Sequence, residues 1–455
     1  MFKWLGGIIG GNSGTKTPAE PPLPEPEVKL REEPQPEESA GGFLSRHVII
    51  NRECHPVGYL FAMRDRSRAR IANLDQASAR INDQLMIRAV NGLGVEKIGR
   101  YRQIWLEVVD SFLSSQLIET LPAKSTVIIV RLHGSAAPDE ALLVRARELR
   151  AAGFHLALSR WADTAACAAW LPVIDFVAVD VSGLNPLDIT EQAKKLRTAI
   201  PDTALVAMHV DSLEEFECCR GAPFAMFQGG FLTRRENWPP QPQMNPQRAR
   251  LTQLMQKLQR GGELNEIASE LRHSPELSYR LLRYINSAGM GLTTRIASIE
   301  QALLILGREK LYRWLTLLLF SAGPGGTIDA ALLEQALVRA RFMELLAPES
   351  SSSLQRDELF IVGVFSLLDV LLKLPLSVAL EPLALPDSST DALLHDRGPL
   401  APKLRLVIAA EAHDDLALSD AARELGMRVD TVNAMHMDAL HWAQETLAPE
   451  PADAT

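Results

Sequence analysis

Ile267–Leu306, IASELRHSPELSYRLLRYINSAGMGLTTRIASIEQALLIL, followed by Gly307, reads as helix, turn and helix again. Ser274 can cap the helix that Pro275 opens, since a serine oxygen accepts from a free first-turn amide and proline fits where no amide donor is needed. After the apolar run Leu277–Ile285 the chain meets Asn286, Ser287, Ala288 and Gly289, so it must turn there. The Asn286 amide can close the helix end by hydrogen bonding to freed backbone groups. Gly307 is expected to stop the next helix. All these roles are architectural. On either side the apolar spacing stays helical, through Arg248–Gly261, Leu264–Leu271, Glu309–Ser321 and Ala330–Leu346, and on to Leu447. Residues 248–447 are therefore expected to form an all-helical domain, with a disordered tail at 448–455.

Upstream the pattern changes. His47–Asn51, Ile104–Val109, Thr126–Leu132, Phe154–Leu158, Phe176–Val181 and Ala204–Val210 are short apolar runs, separated by helical stretches such as Ile71–Asn91 and Asp139–Ala152. Strands alternating with helices argue for parallel strands joined by crossovers, as a barrel or a doubly wound sheet, across residues 43–236. Asn237–Gln247, NWPPQPQMNPQ, is a Pro/Gln breaker that serves as the linker, residues 237–247. Residues 1–42 hold a Pro/Glu tract (PPLPEPE, EEPQPEE), too poor in apolar groups to order itself. The apolar start MFKWLGGIIG is far short of the about 20 residues that span a bilayer. No integral membrane segment is expected.

The 455 residues carry a net charge of −9, with 47% hydrophobic and 23% charged residues, an ordinary globular balance. An acidic chain with no concentrated basic patch excludes nucleic acid as the expected partner. Cys54, Cys167, Cys218 and Cys219 have neither C-x-x-C spacing nor a secretory context. They read as reduced thiols of a cytoplasmic protein, with no metal site.

The motif with Ser274-Pro275, Leu281-Leu282, Asn286-Ser287, Ile296–Ile299, Ala302 and Leu306-Gly307 resembles the HDOD domain. That family is related by fold to HD-type metal phosphohydrolases but lacks their His-Asp metal doublet. His395-Asp396 and His413-Asp414 lie far downstream among breakers and solvent-loving residues, and read as surface dipeptides. Ala421–Trp442 has a helix-turn-helix skeleton, but with Arg428 as the lone cation of the recognition helix after Gly426 it suits a packed helical pair better than a DNA groove. Phe360–Leu372, FIVGVFSLLDVLL, resembles the G-x-x-S-L-L-D stretch of proteins that join an EAL domain to an HDOD domain. Its Asp369 reads as a cap or a surface group.

With that hint the first domain resembles the EAL cyclic di-GMP phosphodiesterase domain, a TIM-like barrel. The resemblance implies divalent metals held by carboxylates at strand ends. At the matching positions Leu60 replaces the glutamate of G-Y-E-L-L-x-R, and Glu107 stands at the usual asparagine. Val127–His133 (VIIVRLH) lacks the family's glutamate. Ser159 and Arg160 replace two aspartates, Ala178 a lysine, and Met208 and Asp211 the glutamates of A-E-x-V-E. Arg64, Asp180, Gln228 and Gly229 survive as vestigial nucleotide-site candidates, or equally as a turn and a strand-end ion pair.

The expected fold is therefore a degenerate TIM-like (EAL-type) barrel followed by an all-helical HDOD domain. The expected function is a non-enzymatic signal-transduction regulator acting through protein partners, with no catalytic residue, metal or cofactor. A receptor that binds cyclic di-GMP without hydrolysis and an active phosphohydrolase remain the alternatives. The oligomeric state is open.

Overall fold

A computed structural model of the chain describes residues 44–63, 76–133, 137–162, 164–234, 246–286, 296–322, 328–412 and 414–447. The expected Pro/Glu tail, most of the linker and the C-terminal tail lie outside the described residues. The strands are β1 (Leu44–Asn51), β2 (Pro56–Met63), β3 (Gln103–Val109), β4 (Thr126–Arg131), β5 (His155–Leu158), β6 (Phe176–Asp180), β7 (Ala204–Met208) and β8 (Phe224–Gln228). They close in sequence order into a barrel. β2 to β8 run parallel, whereas β1 is antiparallel to both β2 and β8.

The side chains alternate across the barrel wall, as a period of two requires. Ile49, Leu60, Trp105, Val127, Ile129, Ala157, Ala178, Val206 and Met208 form an apolar plug inside. Phe61, Leu106, Ile128, Leu156, Val177, Leu205 and Phe227 point outward into the main core. Trp105 is fully buried in the plug. It fits because β2 carries Gly58, where a Cβ would come within 2.9 Å of the indole nitrogen and 2.8 Å of the Gln103 carbonyl.

Local chemistry sets the crossover helices. Asp139 accepts from the Leu142 amide and opens Glu140–Ala151. Asn185 accepts from Leu187 and Asp188 ahead of Pro186–Ala199. Ser212 does the same for Leu213–Gly221. The expected helix at Ile71–Asn91 is described from Gln76 to Gly92.

No crossover helix lies between β1 and β2, which form a hairpin, and both the helix Gln76–Gly92 and the helical region pack against these strands. That region runs from Pro246–Gln259 through Leu264–Arg272, Pro275–Ile285, Ile299–Ser321, Asp329–Leu345 and Ser353–Phe365 to Ala401–Glu411, Asp415–Glu424 and Val429–Leu447. Asp329–Leu345 is buried nearly all round. It approaches Ser353–Phe365 so closely that a Cβ on Gly363 would lie 2.6 Å from the Ala340 Cα.

Polar groups seal the junction. The Arg46 guanidinium on β1 donates to His436 Nε2 at 2.7 Å, so that nitrogen is the unprotonated one. The His436 ring stacks on Phe342. Glu334 accepts from the Tyr59 hydroxyl of β2 and from Arg102. Burial holds the Tyr59 phenol well above its ordinary range, and the neighbouring Glu334 carboxylate adds to the effect. The domains expected at residues 43–236 and 248–447 thus sit within one compact unit, residues 39–455.

The expected architectural residues divide in two. Asn286 ends its helix and makes three backbone bonds: its Nδ2 donates to the Leu282 and Ile296 carbonyls at 2.7 and 2.8 Å, and its Oδ1 accepts from the Ile296 amide at 2.7 Å. Pro275 occupies the first helical turn, but the Ser274 side chain makes no cap bond. Gly307, with φ 70° and ψ 178°, is non-helical and divides Ile299–Ser321 into two helices, so it ends the first of them as expected. Ser287 lies outside the described residues. Asp369 is 3% exposed, so it is no surface group.

Candidate functional site at the barrel mouth

In a barrel of parallel strands, chemistry gathers at their carboxyl ends, where the loops converge and side chains leave the packed interior. Here Glu107 follows the plug residue Trp105 along β3, Arg131 follows Ile129 along β4, and Asp180 follows Ala178 along β6. Each therefore points to the inside of the wall at the rim. Ser159 and Arg160 come directly after β5, and Gln228 ends β8.

Three of the four nucleotide-site candidates are brought to this rim. Asp180 is exposed, and its Oδ1 accepts from the Ser182 amide and hydroxyl at 3.0 and 2.7 Å. Gln228 is buried, with its Oε1 held by the His209 amide at 3.1 Å. That bond supports a turn in which His209 adopts a φ of 59°. A Cβ on Gly229 would overlap the Val210 carbonyl, so only glycine fits there. Arg64 lies outside the described residues. The family-position residues Leu60, Ala178 and Met208 all belong to the plug.

Asp83 sits beneath the rim on the helix Gln76–Gly92. Its Oδ2 accepts from the Val109 amide at 2.8 Å and so ties down the end of β3. Burial raises its carboxyl to about 6, opposed by the Val109 bond and the Arg131 charge and reinforced by Glu107. Asp110 does the equivalent for the end of β4, accepting from the His133 amide at 3.1 Å. The sequence gives no periodic signal for Asp83. The strand alternation that places Val127 and Ile129 inside does place Arg131 at the rim.

The resemblance implies divalent metals, and the donor set tests that. Among the described residues no three His, Cys, Asp or Glu side chains converge to hold a metal ion. Glu107 and Asp180 are the rim's carboxylates on β3 and β6, with Arg131 and Ser159 at the inward rim positions between them. The described rim does not fit a divalent-metal centre, and no step is routed through one. Of the His-Asp doublets, His395 ends its helix beside Asp396, which pairs with Arg405, and Asp414 caps Asp415–Glu424. His413 lies outside the described residues. In the candidate helix-turn-helix, Val429–Leu447 buries Asn433 and His436, so it is a packed helix.

Residues 242–374 match the family model of the HDOD domain. The chain joins a closed eight-stranded barrel to an HDOD domain. Along its length it is similar to a Vibrio cholerae protein named cyclic di-GMP phosphodiesterase CdgJ, at 27% identity over 405 residues, 89% of this chain and 92% of that protein. It is also similar to the uncharacterized protein YuxH of Bacillus subtilis, at 25% identity over 89% of this chain and 98% of that one. A standalone EAL protein of Vibrio cholerae, solved with cyclic di-GMP bound, matches 42% of this chain and 91% of its own at 15% identity and a TM-score of 0.35. The likeness to CdgJ overturns the expectation of a non-enzymatic regulator acting through protein partners, since that relative, aligned through both domains of the chain, is named for an enzymatic activity. Among the described residues no helix is long and apolar enough to cross a membrane.

Proposed function

We propose that this EAL–HDOD protein is a phosphodiesterase acting on cyclic di-GMP, with the nucleotide seated over the carboxyl ends of the barrel strands. The observation that carries the reading is the end-to-end likeness to a protein named for that activity. The rim adds chemistry that suits a phosphodiester. Arg131 and Arg160 bring positive charge to a dianionic ligand, and the Glu107 carboxylate, free of any hydrogen bond among the described residues, can take the proton of an attacking water. Water adds to phosphorus, the ester bond to one ribose oxygen breaks, that oxygen takes up the proton that Glu107 accepted, and a linear dinucleotide leaves. Asp83 and Asp110 fix the strand ends that carry these groups.

The same proposal includes the domain division at residues 43–236, 237–247 and 248–447, and a cytoplasmic setting for four cysteines that are free thiols. The test is incubation of the purified full chain with cyclic di-GMP, with and without Mg²⁺ or Mn²⁺, and chromatography of the products. A linear dinucleotide should accumulate and be lost in Glu107→Gln. A folded wild-type chain that leaves the nucleotide intact under every metal condition would overturn the reading.

A further inference from the structure

Guanidinium groups withdrawn from solvent are ordinarily paired, because an Arg that has lost water needs acceptors for its five N–H donors. The described part of this chain follows that rule almost throughout. Arg102 pairs with Glu334, Arg145 with Glu119, Arg248 with Asp329, Arg313 with Glu344 and Asp357, and Arg339 with Glu411. Arg46 donates to His436, and Arg250, Arg280 and Arg308 donate to a backbone carbonyl or a serine hydroxyl.

Arg131 is the exception. It is half-buried, stands on the inner side of the wall at the end of β4, and has no hydrogen bond or ion pair among the described residues. Its charge is felt by Asp83 without a contact. Asp83 is itself occupied by the Val109 amide, and Glu107 lies on the adjacent strand, two positions nearer the interior in the pairing. A guanidinium left with open donors at the mouth of a barrel is a prepared anion site.

We infer that Arg131 is the phosphate-binding residue of the mouth, donating two N–H groups to the non-bridging oxygens of one phosphodiester of a cyclic dinucleotide. This rests on the proposed function. It goes further by placing recognition on β4, through an arginine in place of a carboxylate-held metal. Arg160 is exposed after β5 and adds long-range attraction only.

The experiment is calorimetric titration of the full chain with cyclic di-GMP in EDTA, for wild type, Arg131→Ala, Arg131→Gln and Arg131→Lys, with inorganic phosphate as a second titrant. Wild type should bind cyclic di-GMP and bind phosphate far more weakly. Arg131→Ala and Arg131→Gln should each lose about 10- to 100-fold in affinity, the range of a charge-assisted pair. Arg131→Lys should recover part of that loss, because it keeps the charge without the fork. Glutamine fills nearly the arginine volume, so it answers even where alanine unfolds the chain. Unchanged affinity in Arg131→Gln overturns the assignment and leaves the proposed function standing. A folded wild type that binds no cyclic di-GMP in EDTA overturns the assignment, while the product assay with and without metal decides the proposed function, and phosphate bound as tightly as the dinucleotide overturns the assignment to a dinucleotide phosphodiester.

Discussion

Replacing Glu334 by Ala removes the acceptor that joins the HDOD domain to the barrel. The Glu334 side chain is 2% exposed and serves two donors on the barrel, the Tyr59 hydroxyl and the Arg102 guanidinium, the latter at 2.6 Å. Breaking a buried ion pair from one side costs about 3–5 kcal/mol, mainly because the remaining charge has no partner. Arg102 is 23% exposed and regains some water, which lowers that part of the loss. Tyr59 is 1% exposed, and a buried hydroxyl left unpaired costs about 1–3 kcal/mol. The net expectation is about 3 kcal/mol, or a fall of about 4 °C in melting temperature for a unit of this size. Glu334→Gln keeps one acceptor and should lose about half as much. Urea denaturation of the full chain, followed by tryptophan fluorescence, measures each variant. Arg102→Ala combined with Glu334→Ala should cost at least about 1 kcal/mol less than the sum of the single changes. If Glu334→Ala unfolds within about 0.5 kcal/mol of wild type, the junction is not held by this group and the reasoning fails.

Asn286→Ala should destabilise the helical region by about 1–3 kcal/mol, because three backbone groups at Leu282 and Ile296 lose their partner. An unchanged melt together with abolished partner binding would assign Asn286 to ligand contact instead of helix closure. Asp83 gives a pH signature. Its carboxyl is raised from 3.8 to about 6 in the folded chain, so the native state holds the proton more tightly. The contribution of this group is therefore fully present below pH 3.8 and is lost as pH rises through about 6. Asp83→Asn should stabilise the chain by up to about 3 kcal/mol at pH 7, with the gain gone near pH 4. Parallel pH–stability curves for variant and wild type would contradict the burial of that charge.

Periodicity marked six of the eight strands and left a barrel or a doubly wound sheet open; β2 and β8 were not among the runs it picked out. Runs such as Thr126–Leu132 and Phe176–Val181 have the length and apolar character of buried strands, and β4 and β6 lie within one residue of those bounds. The caps Asp139, Asn185 and Ser212 act within three residues of themselves, so sequence can show them. Other features depend on distance in space. Asp369 is buried by neighbours that its own helix does not specify. Tyr59 meets Glu334 from 275 residues away and Arg46 meets His436 from 390, so no local pattern marks the junction. The mouth is the sharpest case. A motif comparison sets Leu60, Ala178 and Met208 beside family positions on β2, β6 and β7, one strand at a time. Only the closed barrel brings Glu107, Arg131 and Asp180 to one rim, and only there is Arg131 left without a partner among the described residues, because a side chain's partners are set by which strands adjoin it and not by its neighbours in the chain.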